Sequence, residues 1–337
     1  MVWRKSDEVT VLELDGMTIS RLSRRSLLAT AAAAPLAPAV VRAQPLQHVD
    51  LLIDWKPAPT YAGFYIARDS GAFARRGLDV RIVEGRGANV AAEMVGRDNE
   101  YWISSSSAAA TAIGRSNGLP IRSLAVYYRR TPTVLYSRAE DRIDAPRDLI
   151  GKKVGLVPGS VTIDEYRALL AANRIDRSKI KQIEVGWDSK ALLDGKVDAL
   201  IDYEEIAPSE LLAQGRKIAV LRFADFGVRM YSLNLIVNEM AWMEPARQAT
   251  ARKIAEAVQE GYQLVRDKPG DAAAIFGKIF PDLAPRYIEV SMQIVARQLA
   301  VPIGSQTRLG WEDTLKALSS LGLLARAVSA EEVAIYD

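Results

Sequence analysis

The residue types that most often carry out chemistry in proteins are sparse in this chain of 337 residues. It contains no cysteine and a single histidine, His48. Disulfides, cysteine nucleophiles and thiolate or His-rich metal centres are therefore excluded. Most nucleophile–base pairs are excluded with them. We expect no catalytic residue, no metal site and no cofactor.

An aromatic pair is the first candidate for binding a small molecule. Trp55 and Tyr61 flank a loop that Pro57 and Pro59 stiffen, directly after the apolar run VDLLID at 49–54. A flat heteroaromatic ligand could stack on these rings. The alternative is that Trp55 only fills the core.

Two polar turns are candidates for holding the other side of a ligand. SSSS at 104–107, followed by AAATA, predicts a helix amino terminus, whose N–H groups and hydroxyls suit a polar or anionic group. A similar turn at 159–162 would face it across a cleft. Simple helix capping is the alternative for the serines. The candidates in these turns are Ser105, Ser106, Ser107, Gly159, Ser160 and Thr162.

A third polar group follows the apolar run VDALID at 197–202. It consists of Tyr203, Glu204 and Glu205. A carboxylate there could accept hydrogen bonds from the amino group of a pyrimidine, although the sequence does not decide between the two glutamates. Both could instead lie at a solvated rim. Tyr231 is a further candidate, and a hydrolase with paired carboxylates is disfavoured because nothing supplies a partner at recognisable spacing.

The elements that must position these residues alternate between strand and helix. The run 49–54 predicts a buried strand, 59–77 a helix that ends at Gly77, and 78–85 a second strand. Further strands are predicted at 153–157, 197–202, 217–222 and 233–237, and the chain is mostly helical from Glu244. Open α/β sheets bind ligands at the carboxyl ends of such strands. We expect a first lobe of residues 44–135 plus 227–337, and a second lobe, 136–226, inserted between two hinge crossings.

The amino terminus has the pattern of an export signal. Arg24 and Arg25 precede an apolar stretch, and a small-residue cleavage site ends at Ala43. This pattern resembles a twin-arginine signal. Two prolines interrupt the stretch, and it is shorter than the ~20 residues of a membrane-spanning helix. We expect residues 1–43 to direct a soluble protein to the periplasm, with translation starting at Met1 or Met17.

The charge balance bears on the partner. The formal charge is +3, and residues 1–43 hold six basic and four acidic residues, which leaves the rest close to neutral. A protein that tracks a phosphate backbone needs a basic excess. Nucleic acid is not expected as a partner.

Several segments resemble the NMT1/THI5-like group of periplasmic binding proteins, relatives of sulfonate and nitrate binders. The resemblance runs in order from Val49 to Met243. It implies a two-lobed α/β Venus-flytrap fold of type II-like kind, a monomer, and an ABC transporter permease and ATPase as partners. It also implies a small-molecule ligand, a thiamine-pyrimidine precursor first of all, with riboflavin-like rings, sulfonates, nitrate and aromatic acids left open. The segments are DWKPAPTYAGFYIARDSGAFARRGLDVRIVEG, GLPIRSLAVYY, DLIGKKVGLVPGS, LLDGKVDALI and FGVRMYSLNLIVNE.

The same resemblance includes an enzyme, a pyrimidine synthase. Its chemistry is implied to need a lysine and a histidine in the segment that corresponds to ISSSSAAATAIG, together with a cysteine-rich iron motif. This chain has only serines and alanines from Ser104 to Ala110 and no cysteine. We therefore expect a binding protein and no enzyme. The family also usually has a histidine where Tyr61 stands, and this departure leaves the exact ligand open.

Overall fold

The computed structural model describes residues 45–97 and 100–336. The predicted export signal, with Arg24, Arg25 and Ala43, lies outside these residues. Within them, no helix combines the length and the apolar character that crossing a bilayer requires.

Ten strands of the described residues form two mixed five-stranded sheets. The sheet we call the first contains β1 (Gln47–Ile53), β2 (Leu78–Glu84), β3 (Ile103–Ser107), β4 (Ile121–Val126) and β10 (Leu233–Asn238). The second contains β5 (Thr133–Arg138), β6 (Lys153–Leu156), β7 (Lys181–Glu184), β8 (Ala199–Tyr203) and β9 (Ile218–Arg222).

The two sheets repeat one topology. The first has the order β2-β1-β3-β10-β4 and the second the order β7-β6-β8-β5-β9. In each, the first three strands are parallel, and the fourth, β10 or β5, is antiparallel to its neighbours. The chain therefore passes between the sheets twice, after β4 and after β9. We call each sheet with the helices packed on it the first and the second lobe.

Twelve helices cover the described sheets and fill the space between their edges. In chain order they are α1 (Ala62–Asp69), α2 (Ala88–Arg97), α3 (Ala108–Ser116), α4 (Thr162–Ala172), α5 (Lys190–Leu193), α6 (Ala207–Ala213), α7 (Glu239–Met243), α8 (Pro245–Asp267), α9 (Pro269–Ile279), α10 (Pro285–Gln298), α11 (Arg308–Ser320) and α12 (Ala330–Val333). Helix α8 packs on α1 in the first lobe, and α10 packs on α6 in the second, so the helical end of the chain contacts both lobes.

The apolar strands have the burial that their sequences predict. Leu51, Leu52 and Ile53 are at most 1% exposed, because helices cover both faces of a parallel sheet. The predicted strands at 49–54, 78–85, 153–157, 197–202, 217–222 and 233–237 are all present, within two residues of their expected ends. The helical character after Glu244 is also confirmed.

The helix predicted at 59–77 is shorter than expected. Helix α1 spans Ala62–Asp69, and single 3-10 turns lie at Pro59–Tyr61 and Ala74–Arg76. The chain does turn at Gly77, as predicted.

The helix start predicted at the serine run is confirmed only in part, because α3 begins directly after it, at Ala108. Residues 104–107 do not begin a helix, because Ile103–Ser107 is β3, buried along its whole length. Only Ser107 has the expected role, since its Oγ accepts a hydrogen bond from the N–H of Ala110 and caps α3 at 3.1 Å. The strand tolerates serines because their hydroxyls find partners. Ser104 Oγ, for example, donates to the carbonyl oxygen of Leu52 at 2.9 Å.

Candidate ligand-binding cleft

A cavity of about 340 Å³ lies between the lobes and has the volume of a small-molecule site. Its walls are the segments that follow the carboxyl ends of β1, β2, β6, β7 and β8, as expected for open α/β sheets. The lining includes Asp54, Trp55, Tyr61 and Arg86 from the first lobe, and Gly159, Ser160, Thr162, Trp187, Asp202 and Tyr203 from the second.

Asp54 directly follows β1 and places a buried carboxyl group in the cleft wall. It is 8% exposed. Its backbone N–H donates to Ser105 Oγ at 2.9 Å, and that hydroxyl donates to the Asp54 carboxylate in turn. Burial raises the pKa of Asp54, while the hydrogen bonds from Ser105, from its own amide and from Tyr61 lower it. Ser105 of β3 therefore holds the Asp54 carboxyl group in place and does not itself line the cavity.

Two tryptophans meet across the cleft. The ring centroids of Trp55, after β1, and Trp187, after β7, are 5.5 Å apart with an interplanar angle of 38°. Trp55 is 36% exposed and Trp187 is 60% exposed, so each keeps an accessible face. Flat aromatic molecules stack on such surfaces.

The base of the cleft is a contact between the lobes. Thr60, next to Tyr61, donates from Oγ1 to Glu205 Oε1 at 2.9 Å, and Gln298 of α10 donates to Glu205 Oε2 at 3.2 Å. Glu205 has no exposed surface. Burial raises its pKa to about 7. This carboxyl group joins the second lobe to the loop that carries the aromatic residues.

The second-lobe wall combines a glycine turn with a carboxylate. Gly159 has a φ of 77°, and Ser160 Oγ lies 2.9 Å from Thr162 Oγ1 at the start of α4. Asp202 accepts hydrogen bonds from the backbone N–H groups of Tyr203, at 2.7 Å, and Ala207, at 3.3 Å. Burial raises the pKa of Asp202 to about 6. The second-lobe wall therefore offers the hydroxyl groups of Ser160 and Thr162 and the carboxylate of Asp202 as a hydrogen-bond acceptor.

Half of the predicted site residues lie together around the cavity. Those that line it are Trp55, Tyr61, Gly159, Ser160, Thr162 and Tyr203. The six that do not line it are Ser105, Ser106, Ser107, Glu204, Glu205 and Tyr231.

The displaced candidates have structural partners instead. Ser106 is fully buried in β3. Glu204 Oε2 accepts from Arg222 Nε at 2.8 Å, and both residues line a separate cavity of about 430 Å³. The Tyr231 hydroxyl lies 3.1 Å from Thr307 Oγ1, beside a separate cavity of about 190 Å³. Paired polar groups of this kind stabilise the fold.

The lining residues that sequence reasoning missed include three charged ones and an aromatic one: Asp54, Arg86, Asp202 and Trp187. Asp54 and Asp202 carry a signal in the sequence, because each is a charge at the end of an apolar run whose carboxyl edge was already expected to face a ligand. Trp187 has no such signal, since it follows β7, a strand that the sequence reasoning did not predict.

The single histidine lies away from the cleft. His48, at the start of β1, is within 3.0 Å of Asp79 and 3.1 Å of Asp50 on an exposed edge. Among residues 45–97 and 100–336 no group of three or more histidine and carboxylate side chains could hold a metal ion.

Curated relatives match most of the chain. The formylaminopyrimidine-binding protein of Halalkalibacterium halodurans is 25% identical over 297 residues, which cover 85% of this chain and 89% of that protein. The riboflavin-binding protein RibY of Chloroflexus aurantiacus is 26% identical over 326 residues, covering 90% and 89%. Proteins named 4-amino-5-hydroxymethyl-2-methylpyrimidine phosphate synthase also match, over a smaller share of the chain.

Solved structures share the fold. The periplasmic aliphatic sulphonate-binding protein SsuA from Escherichia coli superposes with a TM-score of 0.69 at 15% identity, covering 85% of this chain and 96% of that one. The predicted two-lobed binding-protein fold is confirmed. The family model described as NMT1/THI5 like matches residues 58–272, and the chain belongs to this NMT1/THI5-like family.

Proposed function

We propose that this chain is the substrate-binding protein of an ABC importer and that it captures a small, flat heteroaromatic molecule between its lobes. The observation that carries the proposal is the pair Trp55 and Trp187, one from each lobe, whose rings meet at the cleft. The two rings already touch, so a ligand ring would stack on the accessible face of this pair. Contacts to both rings would favour the closed arrangement of the lobes, because each lobe supplies one of them.

The charges in the cleft support a heterocycle over an anion. Asp54 and Asp202 are carboxylates, and the basic lining residue, Arg86, is exposed to solvent. A sulfonate or nitrate in this cleft would lie beside hydrogen-bond acceptors that carry negative charge. It would not lie beside a buried positive charge. The ligands named for the two relatives, formylaminopyrimidine and riboflavin, are both flat nitrogen heterocycles. A thiamine-pyrimidine precursor remains our first choice.

The remaining parts of the proposal concern the delivery of the ligand. We propose that residues 127–132 and 223–232, which connect the sheets, act as the hinge, close to the boundaries at 135/136 and 226/227 expected from the sequence. The twin-arginine-like segment would direct the protein to the periplasm, where the monomer presents ligand to a permease and ATPase complex. The cleft lacks the lysine–histidine pair implied for the synthase, and we propose no catalytic activity.

Ligand binding tests the proposal. Calorimetry on the purified chain should detect one class of flat heterocycle among pyrimidines, flavins, aromatic acids, alkyl sulfonates and nitrate. Trp55→Ala should weaken that binding about tenfold or more, from the loss of one stacking surface. Trp242→Ala is the matched control, because Trp242 packs on the first lobe, with Arg252 5.1 Å from its ring centroid, outside the cavity lining.

Two results would contradict the proposal. One is binding of sulfonate or nitrate in preference to every heterocycle. The other is the absence of any binding together with consumption of one of the compounds, which would indicate an enzyme.

A further inference from the structure

A buried carboxyl group in the cleft wall, Asp54, is surrounded directly by hydrogen-bond donors, while the basic residue of the same cavity lining, Arg86, is exposed to solvent. The groups that act on Asp54 are the hydroxyls of Ser105 and Tyr61 and its own backbone N–H, and no cation is among them. Tyr203 of the second lobe and Tyr262 of α8 are close enough for the charge of Asp54 to raise their pKa values. Each of these neighbours is neutral at pH 7. A buried carboxylate without a countercharge is costly, and a ligand that supplies donors or a positive charge relieves this cost.

The position of this carboxyl group is fixed before any ligand arrives. The Asp54 carbonyl oxygen accepts from the N–H of Gly87 at 2.8 Å, and its own N–H is bound to Ser105. Gly85 approaches the same backbone so closely that a Cβ atom there would lie 2.3 Å from the carbonyl oxygen of Ile53 and 2.7 Å from the carbonyl carbon of Asp54. A group held in place in this way loses little conformational freedom on binding, which favours affinity and selectivity.

Asp54 is also next to the aromatic surface. It precedes Trp55 in the chain, and both residues line the same cavity. A ring that stacks on the indole therefore has its edge within reach of the carboxyl group. The aromatic face would hold any flat molecule, whereas the carboxyl group can distinguish one edge from another.

We propose that Asp54 is the specificity-determining residue of the cleft, and that it pairs with an amidine-type edge, a ring nitrogen next to an exocyclic amino group. This inference rests on the proposed function. One carboxylate oxygen accepts an N–H from the amino group. A single proton lies between the other oxygen and the ring nitrogen, either on the ring or on the acid, and both arrangements have the same hydrogen-bond geometry.

This pairing has a consequence for protons. When carboxylate and ring nitrogen are both unprotonated before binding, the complex takes up one proton from solvent. Burial raises the pKa of Asp54, which favours this uptake. A sulfonate offers neither a donor nor a positive charge, and it would add a second negative charge beside the carboxylate.

Three pyrimidines that differ at one edge test the inference on the wild-type chain. The probes are 4-amino-5-hydroxymethyl-2-methylpyrimidine, its 4-oxo analogue and the analogue without a 4-substituent. The amino compound should bind at least about tenfold more tightly than either analogue, because only it matches the acceptors of the carboxyl group. Calorimetry in two buffers of different ionisation heat at pH 7 should show uptake of close to one proton.

A variant and a matched control separate the role of Asp54 from general effects. Asp54→Asn should weaken binding of the amino compound about tenfold or more and abolish the proton uptake. Asp50→Asn is the control, because Asp50 lies on β1, which Asp54 directly follows, but accepts a 2.7 Å hydrogen bond from Arg81 Nε outside the cavity lining. It should leave both quantities unchanged.

The outcomes distinguish this inference from the proposed function. Equal binding of the three pyrimidines, or unchanged affinity and proton uptake in Asp54→Asn, would overturn the role of Asp54 while the capture of heterocycles stands. Preference for riboflavin, whose ring system lacks an amino group, would overturn it in the same way. Failure of every flat heterocycle to bind would overturn the proposed function itself. Should Asp54→Asn not fold, the pyrimidine series on the wild-type chain decides alone.

Discussion

The two walls of the cleft differ in how firmly they are held. On the first lobe, Asp54 and Tyr61 are 8% and 5% exposed, and Asp54 is tied to a neighbouring strand through Ser105. On the second lobe, Trp187 is 60% exposed. The hydrogen bonds described for the turn at 157–162 join residues of that turn to one another and to the first turn of α4. The first lobe therefore presents a preformed surface, and under the proposed function the second lobe would cover the ligand bound to it.

Replacing one glycine by alanine on each wall should give the largest difference between the walls, measured as the loss in free energy of unfolding. Gly85→Ala places a Cβ atom 2.3 Å from the Ile53 carbonyl oxygen, and we expect a loss of roughly 3 kcal/mol in the free energy of unfolding. In Gly159→Ala the added Cβ atom has no atom within 4 Å. The φ of 77° alone should lower the free energy of unfolding by about 1 kcal/mol. Urea unfolding measures both. Equal losses would mean that the first-lobe wall is not the more rigid one.

The contact that joins the walls should make stability depend on pH. Burial raises the pKa of Glu205 to about 7 from an ordinary value of 4.5. The folded protein therefore binds an extra proton between these values. The stabilisation that comes from this extra proton is complete below about pH 4.5 and is lost as the pH rises to about 7. Each unit by which the pKa is raised corresponds to ~1.4 kcal/mol in the free energy of unfolding. Glu165, also with a pKa raised by burial to about 7, should add to this slope.

A glutamine at the same position tests the role of Glu205. In Glu205→Gln, the unfolding free energy should fall less steeply between pH 4.5 and 7 than in the wild type. The control is Glu204→Gln, which removes the partner of Arg222 at 2.8 Å and should leave the slope unchanged. An unaltered slope in Glu205→Gln would mean that the contact between the walls is not linked to protons.

The two tryptophans should contribute unequally to ligand affinity. Trp55→Ala is expected to weaken binding about tenfold or more, and Trp187→Ala only about threefold, because the second ring is 60% exposed and loses less contact. Calorimetry with the best ligand of the panel compares the two variants. A larger effect at Trp187 would reverse the assignment of recognition to the first lobe.

The smallest effect is expected at the basic residue of the cleft. Arg86 is exposed, and solvent screens its charge. Arg86→Ala should change the affinity for a heterocycle by no more than about twofold in a titration at physiological salt. A loss of tenfold would mean that an anionic group of the ligand lies near the first-lobe wall.

Several features followed from the sequence without any structure. Continuous apolar runs predicted the strands at 49–54 and 197–202, because strands covered on both faces need no polar alternation. Their carboxyl ends predicted the cleft, and Trp55, Tyr61 and Tyr203 line it. The absence of cysteine removed whole classes of chemistry, since no fold can supply a missing side chain.

Other features were decided only by tertiary contacts. The serines of β3 look like a helix start in the sequence, and they are tolerated in a buried strand because Leu52 and Asp54, some 50 residues away, provide their partners. Glu204 and Glu205 are adjacent, yet one contacts Arg222 and the other Thr60, because successive residues point in different directions. Trp187 reaches Trp55 only once both sheets have formed. The sequence by itself determined six of the ten described strands and, within two residues, where they end. The tertiary structure decided which polar side chains face the ligand, because that choice depends on partners that are distant along the chain.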